Sequence, residues 1–130
     1  MRIAIATKDY ATVSGHAGQT RHWLVWDLSR HQPGQLVPPP ARVELAKEQL
    51  LHHFADDGPH PLDGIDIVVT ASAGDGFIRH MKKRGAEVLL TGEADPTLAL
   101  TRIMAGEALP DPRFDLTTTL CKLRDLFSRH

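Results

Sequence analysis

The sequence predicts an α/β domain on a mixed five-stranded sheet, and three observations predict it. Short runs of β-branched and apolar residues recur from the N-terminus, the last two of these runs alternate with helical patterns, and Gly, Pro and Asp stand where strands should end and helices begin. At 130 residues the chain is about one domain long, so a single core is expected.

Arg2 to Thr7 reads as a short buried strand, bounded by Lys8 and Asp9. Lys8 to Arg21 is too polar and too rich in glycine to be an element, and reads as a functional loop. His22 to Leu28 gathers Trp23, Leu24, Val25 and Trp26 into a second strand, and Pro33-Gly34 turns into a third around Gln35 to Val37. Pro38-Pro39-Pro40 marks a boundary, since proline lacks an N–H and fixes φ. Past it, Val43, Ala46, Leu50 and Phe54, with Leu51 beside them, recur at helical spacing and predict an amphipathic helix.

A Pro-rich loop from Asp56 to Asp63 leads to a fourth, buried strand at Ile65 to Val69. The run Thr70 to Gly76 then enters a helix from Phe77 to Arg84, stopped by Gly85. Val88 to Thr91 is the fifth strand. Asp95-Pro96 supplies an N-cap and a first-turn proline for a helix ending at Gly106. Leu116, Leu120, Leu123 and Phe127 describe a C-terminal helix whose stripe needs a partner surface, in the domain or in another subunit, which leaves a homodimer open.

Right-handed crossovers and short connections place strand 1 centrally, in the order 3-2-1-4-5 of ribonuclease H-like domains, flanked by helices. The loops after strands 1, 4 and 5 then leave neighbouring carboxyl ends, where open α/β sheets bind ligands. Composition narrows the chemistry. Fifteen Lys and Arg against sixteen Asp and Glu give a net charge of -1, which removes the general drive toward nucleic acid. No apolar run approaches the roughly 20 residues that span a bilayer, and the start is too brief for a secretory signal, so a cytoplasmic protein is expected. The single cysteine, Cys121, cannot hold a cluster alone, which leaves nitrogen and oxygen ligands, and the chain has eight histidines.

At Ser72-Ala73-Gly74-Asp75-Gly76 the glycines permit close approach of an anion, and the following helix would aim its N–H groups and positive dipole end at it, with Arg79 near the first turn. The same glycines also suit any tight strand-to-helix turn. His16, in Gly15-His16-Ala17-Gly18, could point into the mouth of the site as a ligand, or be an exposed loop histidine without a task. His22 falls on a strand edge; His52 and His53 diverge by about 100° on a helix and read as surface residues. His60 and His80 are ambiguous. A two-metal nuclease would need converging carboxylates; Asp9, Asp75, Glu93 and Asp95 fall in the loops, yet none lies inside strand 1. Ser72 is not in a nucleophile elbow, and Cys121 has no recognisable base nearby.

Met1 to Thr7, Val13-Ser14-Gly15-His16-Ala17-Gly18, Leu24-Val25-Trp26-Asp27-Leu28, and Gly74-Asp75-Gly76-Phe77 followed by Gly85-Ala86-Glu87-Val88 together resemble the dinitrogenase iron-molybdenum cofactor biosynthesis family. This family includes NifX-like and NafY-like carriers and the C-terminal domain of the cofactor synthase NifB. The resemblance implies a cofactor-family domain over residues 1–108, with 109–130 as a helical extension, and a ribonuclease H-like fold without nuclease activity. It implies a non-enzymatic carrier of an anionic metallocluster, the iron-molybdenum cofactor or an iron-sulfur precursor, in nitrogen fixation. Cofactor-biosynthesis or nitrogenase proteins are the implied partners. His16 matches the residue suspected as the metal ligand, and Ser72, Gly74, Gly76 and Arg79 would complete the binding site. Ala17 departs from the His-Phe-Gly run of many members. The alternatives are an interaction or regulatory module without a cluster and a metal-dependent phosphoryl-transfer enzyme.

Overall fold

The computed structural model describes residues 1–32, 34–51 and 59–111. Its five strands are β1 (Arg2–Thr7), β2 (His22–Asp27), β3 (Ala41–Glu44), β4 (Ile67–Thr70) and β5 (Glu87–Leu90), with helices α1 (Asp75–Lys83) and α2 (Pro96–Met104). They form one sheet in the order β3-β2-β1-β4-β5. β2 runs antiparallel to β1 and to β3, while β4 is parallel to β1 and β5 to β4. The expected mixed sheet and strand order are therefore present.

β1 is central, so both of its faces are covered. Ala4 and Ala6 point into one core with Trp23, Val25, Val68 and Met81; Ile3 and Ile5 point into the other with Leu24, Trp26, Val69, Ala99 and Leu100. The alternation follows the two-residue period of a strand. Small residues on the first face make room for large ones: Ala6 lies opposite Trp23, which is fully buried and donates its indole N–H to the Thr20 carbonyl at 3.1 Å. α1 covers this face through Phe77 and Met81, and α2 covers the other through Ala99, Leu100 and Ile103.

Two expectations fail between residues 35 and 51. The third strand is not at Gln35 to Val37 but past the prolines, at Ala41–Glu44, where Ala41 pairs with Val25 and Glu44 with His22. Three consecutive prolines cannot donate to a ladder, so they belong to the connection. Leu36 is left 95 % exposed in that connection. The helix expected from Val43 to Phe54 is also absent as far as Leu51. Val43 lies in β3, and Lys47–Gln49 is a single 3-10 turn. The misleading periodicity arises because Val43, Leu45, Leu50 and Leu51 reach the same core from a strand and a turn. The remainder of that segment, with His52, His53 and Phe54, lies outside the described residues, as does the expected C-terminal helix.

The other elements agree within about two residues, the usual spread for element ends. Asp95 caps α2 as expected: its carboxylate accepts from Thr97 N–H at 2.9 Å and Leu98 N–H at 3.4 Å, and Pro96 occupies the first turn. Among the described residues no helix is long and apolar enough to cross a membrane.

Candidate functional site

Each parallel strand ends in a buried threonine. Thr7 closes β1, Thr70 closes β4, and Thr91 follows β5, each at most 1 % exposed. A buried hydroxyl needs partners, and here they are backbone groups of the departing loops and of the segments beside them. Thr7 Oγ1 donates to the His22 carbonyl at 2.9 Å and accepts from Tyr10 N–H at 3.0 Å. Thr70 Oγ1 donates to the carbonyls of Ser14 at 2.8 Å and Ser72 at 3.1 Å. Thr91 Oγ1 donates to the Pro110 carbonyl at 3.1 Å and accepts from Glu93 N–H at 3.0 Å. The endings Ile-Ala-Thr, Val-Val-Thr and Leu-Leu-Thr were a repeat visible in the sequence, and the sequence reading missed it.

The three loops meet through their backbones. Ser14 N–H donates back to the Ala6 carbonyl, Val13 N–H reaches Ala94 in the loop after β5, and Ala71 N–H donates to the Ser14 carbonyl, each at 2.9 Å. Residues 17–19 then close a 3-10 turn, with His16 as its N-cap at φ 53 and ψ 56. This is the left-handed region, which costs a non-glycine residue about 1–2 kcal/mol. The His16 side chain makes no capping bond, and the residue is exposed.

A cavity of about 730 Å³ opens beside it. His16, Gln19, Ser72 and His80 provide its polar groups; Ala17, Leu51, Ala73 and Phe77 form apolar wall, and Gly18, Gly74 and Gly76 complete the lining. Of the residues expected in the site, His16, Ser72, Gly74 and Gly76 therefore come together. Arg79 does not join them. It is exposed on α1 outside the lining, while His80, one residue and about 100° further round the helix, lies in it. Only the phase of a correctly bounded helix could have exchanged these two.

Neither glycine at the start of α1 is required by lack of space. Gly74 has φ -77, open to any residue, and a Cβ built on Gly74 or Gly76 meets nothing within 4 Å. Gly74 caps α1 without a side-chain bond, so the first-turn N–H groups have no capping side chain and leave their positive dipole end at the cavity.

Of the loop carboxylates, Asp75 opens α1 at an exposed position outside the lining, and the other three are engaged in structural bonds. Asp9 accepts from Ala11 and Thr12 N–H, Glu93 accepts from Asp95 N–H, and Asp95 caps α2. Among the described residues no three His, Cys, Asp or Glu side chains are grouped to hold a metal ion. His22 pairs with Glu44 at 3.0 Å and stands edge-on to Tyr10, away from the cavity lining. His60 is buried; its Nδ1 accepts from Leu62 N–H at 3.0 Å and its Nε2 bonds the Gln49 carbonyl at 2.7 Å, which fixes the neutral tautomer. Burial holds its pKa below the ordinary imidazole value, helped by the charges of Arg84 and His80 and opposed by the Gln49 carbonyl and Asp63. Asp63, which accepts from His60 N–H and pairs with Arg84, has its carboxyl held below the usual range by those two contacts.

The fold and site together define an α/β domain that gathers loops around a ligand-sized cavity at the carboxyl ends of its strands. The chain belongs to the dinitrogenase iron-molybdenum cofactor family, whose model matches residues 1–106. Among solved structures it is similar to the crystal structure of the protein PH0822, with 24 % identity, a TM-score of 0.64, and coverage of 87 % of this chain and 98 % of that one. A Thermotoga protein provisionally described as NifB, solved by NMR, has 17 % identity and a TM-score of 0.55 over 89 % of this chain and 97 % of its own. The apo form of the orange protein from Desulfovibrio gigas has 16 % identity and a TM-score of 0.56 over 82 % of this chain and 88 % of its own. At these identities the likenesses speak for the fold. No curated protein matches the sequence.

Proposed function

We propose that the protein is a non-enzymatic carrier of an anionic metallocluster, the iron-molybdenum cofactor or an iron-sulfur precursor of it, and that His16 ligates one of the cluster's metals. The observation that carries this reading is His16 itself, held in a left-handed backbone with no capping bond from its side chain, beside a cavity that opens on the start of α1. Among the described residues the lining has no carboxylate and no thiolate, so a bare cation would meet few ligands from them. A preassembled cluster brings its own sulfides. Its negative charge suits the first-turn N–H groups of α1, and its soft surface suits Leu51 and Phe77. Ser72, Gly74 and Gly76 form the wall it rests on, and Arg79 adds positive potential from outside without contact.

In this reading residues 1–108 are the carrier, in a ribonuclease H-like arrangement, and 109–130 are an extension. Cofactor-biosynthesis or nitrogenase proteins of the cytoplasm would deliver and receive the cargo. The family and the fold shared with the NifB-described protein support that setting. The test is anaerobic incubation with isolated iron-molybdenum cofactor, followed by gel filtration and metal analysis. The wild-type chain should co-elute with molybdenum and iron. Folded His16→Ala should retain about tenfold less or lower, because a cluster held by one side-chain ligand loses it. Equal retention by both would refute the ligand role, and no retention by the wild type would favour an interaction module without cargo.

A further inference from the structure

We propose that Ser72 is the positioning residue of this site, acting on the cargo through His16. The inference rests on the carrier reading above. Ser72 holds the segment 15–17 at three points. Its Oγ accepts from His16 N–H at 2.8 Å, and its carbonyl accepts from Ala17 N–H at 3.2 Å. Gly15 comes so close that a Cβ on it would stand 2.5 Å from the same Oγ. Of the two hydrogen bonds, only the one to His16, the residue in the left-handed region, needs the side chain.

The two loops are interlocked independently of that hydroxyl. The Ser14 carbonyl accepts from Ala71 N–H at 2.9 Å and from Thr70 Oγ1 at 2.8 Å, and Thr70 Oγ1 also reaches the Ser72 carbonyl at 3.1 Å. Removing the Ser72 hydroxyl therefore leaves the loop docked and frees only the His16 N–H. A residue in a disfavoured backbone region stays there only while its surroundings hold it, so His16 relaxes toward ordinary backbone angles. Its imidazole then leaves the ligating position. A partner that orients a metal ligand in this way is worth about 10–100-fold in affinity.

The experiment compares wild type, Ser72→Ala, His16→Ala and the double variant, with Ser72→Thr as the variant that keeps a hydroxyl. Amide exchange at His16 is followed in the unloaded proteins, and affinity is measured with isolated iron-molybdenum cofactor as the probe. Ser72→Ala should keep the fold, speed exchange at His16, and weaken binding about tenfold or more, with Ser72→Thr restoring both. In the His16→Ala background the Ser72→Ala change should cost nothing further. Unchanged exchange at His16, or the same loss of affinity in both backgrounds, would overturn the positioning role. Loss in His16→Ala but not in Ser72→Ala would overturn this inference alone, equal binding by wild type and His16→Ala would overturn it together with the ligand role of His16, and no binding by the wild type would overturn the carrier reading itself.

Discussion

At φ 53, His16 sits where most residue types would relax, and the residues around it show why it does not. Gly15 is tight for a packing reason. Gly15→Ala drives a methyl group into the Ser72 hydroxyl, 2.5 Å away, and should destabilise the fold by about 1–3 kcal/mol in urea unfolding, since overpacking a docked loop forces it apart. A second residue gives the protein a pH dependence. His60 is held neutral by burial and by bonds to Gln49 and Leu62, whereas the unfolded chain binds a proton near the ordinary pKa of about 6.5. The unfolded state therefore holds more protons just below that pH, and stability should fall as pH drops through about 6.5 and be complete above it. Urea midpoints at about pH 5.5 and 7.5 should differ for the wild type and differ less for His60→Gln. An equal acid loss in both would remove His60 as the cause. The sequence flagged His16 by its flanking glycines; His60 and His80 it could not sort, because burial and helical phase are properties of the folded chain.

At the scale of elements, α1 carries the clearest conflict between stability and use. Glycine in a helix costs about 1 kcal/mol relative to alanine, yet Gly76 lies in the first turn with open space where a Cβ would go. Gly76→Ala should raise the stability of the unloaded protein by about 0.5–1 kcal/mol while lowering cofactor retention, because the added methyl group stands in the lining. A stabilised variant that retains cofactor fully would show that the glycine serves no ligand. The elements that the sequence revealed were those with local punctuation: Asp95-Pro96 for α2, Gly85 after α1, and the polar bounds of β1. The segment from Val43 to Leu51 carries a misleading helical spacing because its apolar pattern is a product of tertiary packing. Strand β3 exists through its pairing with β2, and its four residues carry little signal of their own.

At the scale of the whole molecule, the sheet order brings loops from distant parts of the chain to one edge, and three buried threonines bind those loops to the strand ends. That order was legible, since handedness and short connections leave few arrangements for two parallel strands beside a hairpin. One wall of the cavity was legible as well, in the run from Ser72 to Gly76. The place of Leu51 in the lining was not, because its spacing suits a helix and only the folded chain brings it to the cavity. The central claim is that His16 bonds directly to a metal of the cargo. It is tested most directly by pulsed electron paramagnetic resonance on protein labelled with nitrogen-15 histidine and loaded with isolated iron-molybdenum cofactor in a paramagnetic state. The account predicts one strongly coupled imidazole nitrogen in the wild type that disappears in His16→Ala, and a loaded wild-type spectrum without that coupling, or a coupling that survives the substitution, would contradict it.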